Sequence, residues 1–301
     1  MGSSRYLLNN LKSIFLFLQM IKFEHTIFAL PFAYIGVFLA AKGFPDVKKF
    51  FLITIAFSAA RTYAMTLNRI IDLKYDSKNP RTSERHLVKG IVRKKTAIYG
   101  VLISFIVFVI TAYALGPLPF ILTPVALFFL SFYHITKRFT YFSHFFLGLT
   151  DGLAPAGAWV AIRGSFFTLS DQPAWILIFI VTFWIAGFDI LYQCQDIEFD
   201  RKEGLHTIPS RFGTEMALKI ARLCHIIMLL GLVYLGFFLN FNIFYIISLV
   251  ISTVLLLKEH SLISPHDLSK LDMAFFNMNG YISIIIFLGI MLSIFTNRGY
   301  L

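Results

Sequence analysis

Asp72 and Asp76 stand four residues apart, and so do Asp196 and Asp200. That spacing puts both members of a pair on one face of a helix, so each pair forms a two-carboxylate claw. Each pair ends a hydrophobic run, NRIIDLKYD over Asn68 to Asp76 and DILYQCQDIEFD over Asp189 to Asp200. Carboxylates beside hydrocarbon are costly unless paired or metal-bound, and an ionisable group on a membrane helix is by default a functional candidate. Two oxygen-rich claws suit magnesium and a diphosphate, because magnesium shares carboxylates with substrate phosphates.

Residues around the claws extend the pattern. Arg61, Asn68, Asp72 and Asp76 fall on one stripe at helical period, as do Asp189, Tyr192, Asp196 and Asp200. Such a stripe on a membrane helix faces protein or a water-filled space. Arg61 reads either as a substrate-binding cation or as the structural ion-pair partner of Asp189, and Tyr192 as a site residue or a buried ring with a satisfied hydroxyl. Arg81, Arg85, Lys137, Arg138, Arg201 and Lys202 gather in adjoining loops, where they can neutralise a polyanionic substrate.

The elements that must carry these residues follow from composition. With 301 residues, 57% hydrophobic, 14% charged and a mean hydropathy of +0.74, the chain lacks the polar surface of a soluble globule. It reads as an all-α polytopic membrane protein. Apolar stretches of about 20 residues centre near Ala33, Ile55, Ile106, Leu127, Pro155, Thr182, Leu229, Leu249 and Ile286. Turn signals at Gly116, Pro117 and Pro119, and at Asn240 and Asn242, separate neighbouring spans. Helix two and helix six each lead into a claw and a basic loop. The expected architecture is therefore two four-helix bundles plus one helix around a central cavity, in one membrane domain over residues 1–301.

At the start of the chain, Arg5 and Lys12 precede the apolar run Ile14 to Met20. The run is short for a signal peptide and has no small-residue cleavage site, so it reads as an interfacial segment. Met1 and Gly2 do not make an acylation signal, because Tyr6 stands where Ser or Thr is needed. Nearly all Lys and Arg fall on the side of the aspartate motifs, against Lys42, Lys48, Lys49, Arg163 and Arg298 on the other, so the positive-inside rule puts both claws at the cytoplasmic face. The net charge of +11 and pI near 9.6 express topology and attraction to anionic lipid rather than nucleic-acid binding. Cys194 and Cys224, the two cysteines of the chain, share no ligand spacing and read as packing residues. No protein partner can be read from the chain.

The segment NRIIDLKYDSKNPRTSERHLVKG resembles the first signature of the UbiA family of intramembrane prenyltransferases, N-D-x-x-D-x-x-x-D followed by R-T-x-x-R-x-L-x-x-G. DILYQCQDIEFDRKEGLHTIPSRFG resembles the second, D-x-x-Y-x-x-x-D-x-x-x-D with a basic residue, Gly and a closing F-G. YHITKRFT at Tyr133 to Thr140 is similar to the loop that follows helix four in that family. The resemblance runs from Lys22 to about Gly213. It implies nine transmembrane helices around a cavity open to lipid, and transfer of a prenyl chain from a prenyl diphosphate to an acceptor. On the matching positions, Asn68, Asp72, Asp76, Asp196 and Asp200 would hold magnesium. Asp72, Asp189, Asp196 and Tyr192 would be catalytic, and Lys22, Arg61, Arg81, Arg85, Tyr133, Lys137, Arg138 and Lys202 would bind substrate. One departure is Arg69, which replaces the family's first aspartate: either that aspartate is not an essential ligand, or Arg69 itself helps neutralise the diphosphate; it lies off the stripe and is not counted as a ligand.

KFEHTIFALP at Lys22 to Pro31 is similar to the 4-hydroxybenzoate polyprenyltransferase branch, including relatives that make menaquinone through futalosine. The implied acceptor is an aromatic acid, 4-hydroxybenzoate or a dihydroxynaphthoate, and the implied setting is quinone biosynthesis in a bacterial plasma membrane. A carboxylate on the acceptor calls for a cation in the cavity, either Arg61 or Lys22. The rival reading is a cation-coupled transporter, since paired acidic residues also mark ion pathways.

Overall fold

The computed structural model describes residues 12–271 and 273–296; the readings made on Met1, Gly2, Arg5, Tyr6 and Arg298 lie outside them. Among these residues there is no β-strand, and the single β-type contact is a bridge between Ser264 and Asp267. Lipid offers no hydrogen bonds, so each apolar stretch must satisfy its backbone internally as a helix. The long helices are α1 (Glu24–Ala41), α2 (Val47–Ile71), α3 (Lys94–Leu115), α4 (Pro117–Thr136), α5 (Ser143–Arg163), α6 (Gln172–Gln193), α7 (Ile208–Phe238), α8 (Ile243–Ser261) and α9 (Asn279–Thr296). Among the described residues, eight of them are long and apolar enough to cross a membrane, and Ala29–Ala41 of α1 is a further apolar helix.

The expected breaks are present. Gly116, at φ 132°, separates α3 from α4, which opens on Pro117. Between α7 and α8, Asn240 and Phe241 adopt positive φ, and the Asn242 side chain caps α8 by accepting from Phe244 N at 3.0 Å. The amino-terminal segment is helical over 12–20 and turns at Lys22, φ 50°.

Each helix packs on the next, and α9 returns to α1, so the nine form a ring. Across that ring α1 packs directly on α5. A Cβ on Gly36 would lie 2.1 Å from the Pro155 carbonyl oxygen, so only glycine permits this crossing. Gly148 and Gly152 likewise set the backbone of α5 against Thr182 and Ile178 of α6, the small-residue contact by which helices associate in lipid. On the α6 to α9 side the ring is filled by buried Ile35, Trp184, Met228, Leu232, Tyr245, Ile282 and Ile290. Cys194 and Cys224 are buried, unbridged packing residues.

Both aspartate segments lie at one end of the bundle, and here the structure corrects the expectation of unbroken stripes. α2 stops at Ile71; Asp72 caps it at φ −92°, ψ 3°, and Asp76 ends a separate short helix, Leu73–Asp76. α6 stops at Gln193 and passes through a 3-10 turn, Cys194–Asp196, into the helix Ile197–Glu203. The chain leaves the bundle at these aspartates, where helix-end groups take partners from loops rather than from the next turn.

Candidate active site

The four motif carboxylates are nearly sealed, Asp72 3%, Asp76 6%, Asp196 4% and Asp200 1% exposed, and such charges need partners. Asp72 accepts from Lys137 Nζ at 2.7 Å, Asn68 Nδ2 at 3.1 Å and Arg138 Nη2 at 3.5 Å. Asp76 accepts from Arg85 Nη1 at 2.7 Å to each oxygen. Asp196 accepts a two-pronged contact from Arg81, Nε at 3.0 Å and Nη2 at 2.5 Å, and a third bond from Asn79 Nδ2 at 2.9 Å. Asp200 accepts from Gln193 Nε2 at 2.8 Å and Thr207 Oγ1 at 2.9 Å. Asp72 and Asp76 thus take different partners, whereas Gln193 Nε2 reaches both members of the second pair, at 3.4 Å to Asp196 and 2.8 Å to Asp200.

These contacts join the two motifs. Asn79 and Arg81 follow the first aspartate pair but bind the second; Lys78 Nζ meets Glu203 at 2.6 Å, and His206 N donates to Lys137 O at 2.6 Å. Arg81 also donates to Tyr192 Oη at 3.2 Å, with its guanidinium 5.2 Å from the ring centre. Burial opposes its charge, but the hydrogen bonds and charge of Asp196 outweigh that and raise its pKa above the ordinary arginine value. Lys202 is exposed and makes no hydrogen bond or ion pair among the described residues, and Lys22 lies exposed at the turn before α1. Arg69 is buried, donating to Met20 O and Asn68 Oδ1, so it braces the amino-terminal segment.

A second polar tier lies deeper. Arg61 is eleven residues before Asp72 on α2, about 16 Å at helical rise. It makes no hydrogen bond or ion pair among the described residues, and its buried Nε is unpartnered. Asp189 pairs not with Arg61 but with His144, whose Nδ1 is 2.7 Å from Asp189 Oδ2. Ile208 N donates to Nε2 of the same ring at 3.2 Å, so Nδ1 carries the proton and donates to Asp189. The charge of Arg61 reaches Tyr133 on α4 and Asp151 on α5.

Sequence reasoning missed Asn79, His144, Asp151, Gln193 and Thr207. It also missed His134, buried with Nδ1 3.2 Å from Asn68 Nδ2. Only Asn79 carried a signal, since Asn-Pro marks a turn directly after the first claw.

The donors of the outer tier are hard oxygens, the set magnesium takes. No three His, Cys, Asp or Glu side chains converge as a ready cage among the described residues. This fits an ion held by one or two carboxylates and completed by substrate phosphates. The cations now on the carboxylates are long side chains with 27% to 35% of their surface exposed. A separate cleft of about 510 Å³ between α2, α3 and the 12–20 segment is lined by groups such as Phe17, Thr54, Tyr99 and Val107 with no charged side chain, and cannot serve ionic chemistry.

Residues 29–281 match the family model described as the UbiA prenyltransferase family. A 4-hydroxybenzoate octaprenyltransferase of Vesicomyosocius okutanii is 29% identical over 86% of this chain and 93% of its own length. Another of that name, from Francisella tularensis subsp. novicida, is 28% identical over 83% and 86%. Among solved structures, the apo UbiA homolog of Aeropyrum pernix K1 superposes with a TM-score of 0.81 at 29% identity, covering 89% of this chain and 98% of its own. The UbiA homolog of Archaeoglobus fulgidus bound to GPP and Mg2+ shares the fold with a TM-score of 0.67 at 19% identity, over 93% and 99%.

Proposed function

The chain belongs to the UbiA prenyltransferase family, and from that premise we propose that it transfers a polyprenyl chain from a prenyl diphosphate to an aromatic acid in quinone biosynthesis. The observation that carries this reading is the joining of the two aspartate segments by Asn79 and Arg81 on Asp196, which makes one anion-binding end out of two helix ends. The named relatives favour 4-hydroxybenzoate as the acid, and a dihydroxynaphthoate has the same carboxylate and hydroxyl.

The diphosphate is held at the outer tier by Arg81, Arg85, Lys137 and Arg138, which exchange carboxylate partners for phosphate oxygens, a strong charge-assisted contact. Asn68, Asp72, Asp76, Asp196 and Asp200 would hold magnesium, which when bound supplies positive charge against that of the leaving diphosphate. The allylic C–O bond breaks, and its electron pair leaves with the diphosphate. A ring carbon of the acceptor, held by its carboxylate at Arg61, forms the new C–C bond. The proton of that carbon then leaves to Asp189, kept in place by His144 Nδ1. Tyr133 and Tyr192 offer aromatic faces to the positive charge between the tiers. The whole chain acts as one domain in the membrane, with the outer tier toward the cytoplasm by the positive-inside rule.

The test is to offer purified protein 4-hydroxybenzoate and a dihydroxynaphthoate in parallel with one polyprenyl diphosphate and magnesium. Identification of a prenylated acid by mass supports the reading. Absence of product from both acids refutes it.

A further inference from the structure

Asp151 lies on α5, eight residues after the helix begins at Ser143, about 12 Å along it and thus at the level of the inner tier. It makes no hydrogen bond or ion pair to any described residue, and it is half-buried rather than sealed. Its neighbours in charge are Arg61 on α2 and Asp189 on α6, and both Asp151 and Arg61 act on Tyr133 of α4. The backbone here is fixed, because Gly148 and Gly152 rest on α6 carbonyls and Pro155 on Gly36 of α1. A carboxyl in a membrane helix without a protein partner is costly and points to a ligand. Asp189 holds His144 through Oδ2 at 2.7 Å, whereas Asp151 has no protein donor among the described residues and the buried Nε of Arg61 has no protein acceptor.

We infer that Asp151 is a specificity-determining residue of the acceptor pocket, accepting a hydrogen bond from a ring hydroxyl while Arg61 binds the carboxylate at the other end of the same ring. The two groups orient the acceptor by opposite chemistry. A carboxylate turned toward Asp151 meets repulsion from it and from Asp189, whereas a hydroxyl turned that way finds an acceptor. The ring is therefore held with its hydroxyl on the α5 side, which decides the carbon presented to the prenyl chain. A buried acceptor built for a hydroxyl rejects the analogue that lacks it, because its own group is then left unpaired.

This inference rests on the proposed aromatic-acid acceptor, and its test separates the two. Binding of 4-hydroxybenzoate and of benzoate to the purified protein is measured by calorimetry, for the unmodified chain, Asp151→Leu and Asp151→Asn. The unmodified protein binds the hydroxy acid at least tenfold more tightly. Asp151→Leu brings the hydroxy acid down to the affinity of benzoate and leaves benzoate no weaker, and Asp151→Asn, which keeps an acceptor oxygen and the side-chain volume, retains part of the preference. The Michaelis constant for the prenyl diphosphate stays unchanged in both variants. An undiminished preference in Asp151→Leu, or in Asp151→Asn alongside a raised donor constant, overturns the assignment. Failure of the unmodified protein to bind either acid overturns the aromatic-acid reading itself, and this inference with it.

Discussion

Asp196 accepts from Arg81 and Asn79, which reach it from the other motif, and Asp72 accepts from Lys137 across the bundle. Removing either carboxylate therefore removes a junction of this polar end without emptying an apolar core. Asp72→Ala and Asp196→Ala are expected to lower turnover by about a thousandfold, the scale of losing a preorganised electrostatic group, while the protein still accumulates in membranes; initial rates against immunoblotted amount check this. On the proposed division of the two substrates, Arg61 serves the acid alone. Arg61→Ala should raise the Michaelis constant of the aromatic acid by roughly tenfold to a hundredfold, the worth of a charged hydrogen bond, and leave that of the prenyl diphosphate in place. Arg61→Lys recovers part of this, keeping charge without the fork. A rise in the donor constant instead would assign Arg61 to the diphosphate. The aspartates were legible in the chain because paired charges at a fixed spacing contrast with apolar surroundings. His134, His144, Gln193 and Thr207 were not, since a single polar residue on an apolar helix has no spacing to betray it and its partner comes from a distant segment.

The helices were legible in number because apolar length alone dictates a span, but their ends at the site were not. Periodicity continues through Asp72 and Asp196, while the chain there leaves the helix to reach loop partners, and no local residue type marks the change. What holds the site-bearing helices at their spacing is glycine. A Cβ on Gly148 would lie 2.2 Å from the Thr182 carbonyl oxygen, a backbone atom that cannot move aside alone. Gly148→Val is expected to separate α5 from α6 at the cost of overpacking, about 1–3 kcal/mol, and to displace His144 from Asp189. A fall of the thermal midpoint in detergent, together with reduced turnover, is the expected outcome; an unchanged midpoint would mean that α5 is not held by this contact.

At the scale of the molecule, a ring of nine helices brings two motifs more than a hundred residues apart to one end, where Lys78 meets Glu203. Lys78→Cys and Glu203→Cys, made singly, should both react with an impermeant thiol reagent from the cytoplasmic side only. Reaction from opposite sides would forbid a shared site. The ring also explains why an acidic, partly polar interior need not be an ion path. Its four motif carboxylates gather at one end with Arg81, Arg85, Lys137 and Arg138, and the α6 to α9 side is filled by packed apolar side chains. The most direct measurement reconstitutes the purified protein in liposomes with a polyprenyl diphosphate and 4-hydroxybenzoate, and counts released diphosphate against prenylated acid, with magnesium and after its chelation. Equal amounts of the two products, both lost on chelation, are predicted. Cation flux across the liposome with neither product formed would contradict the account.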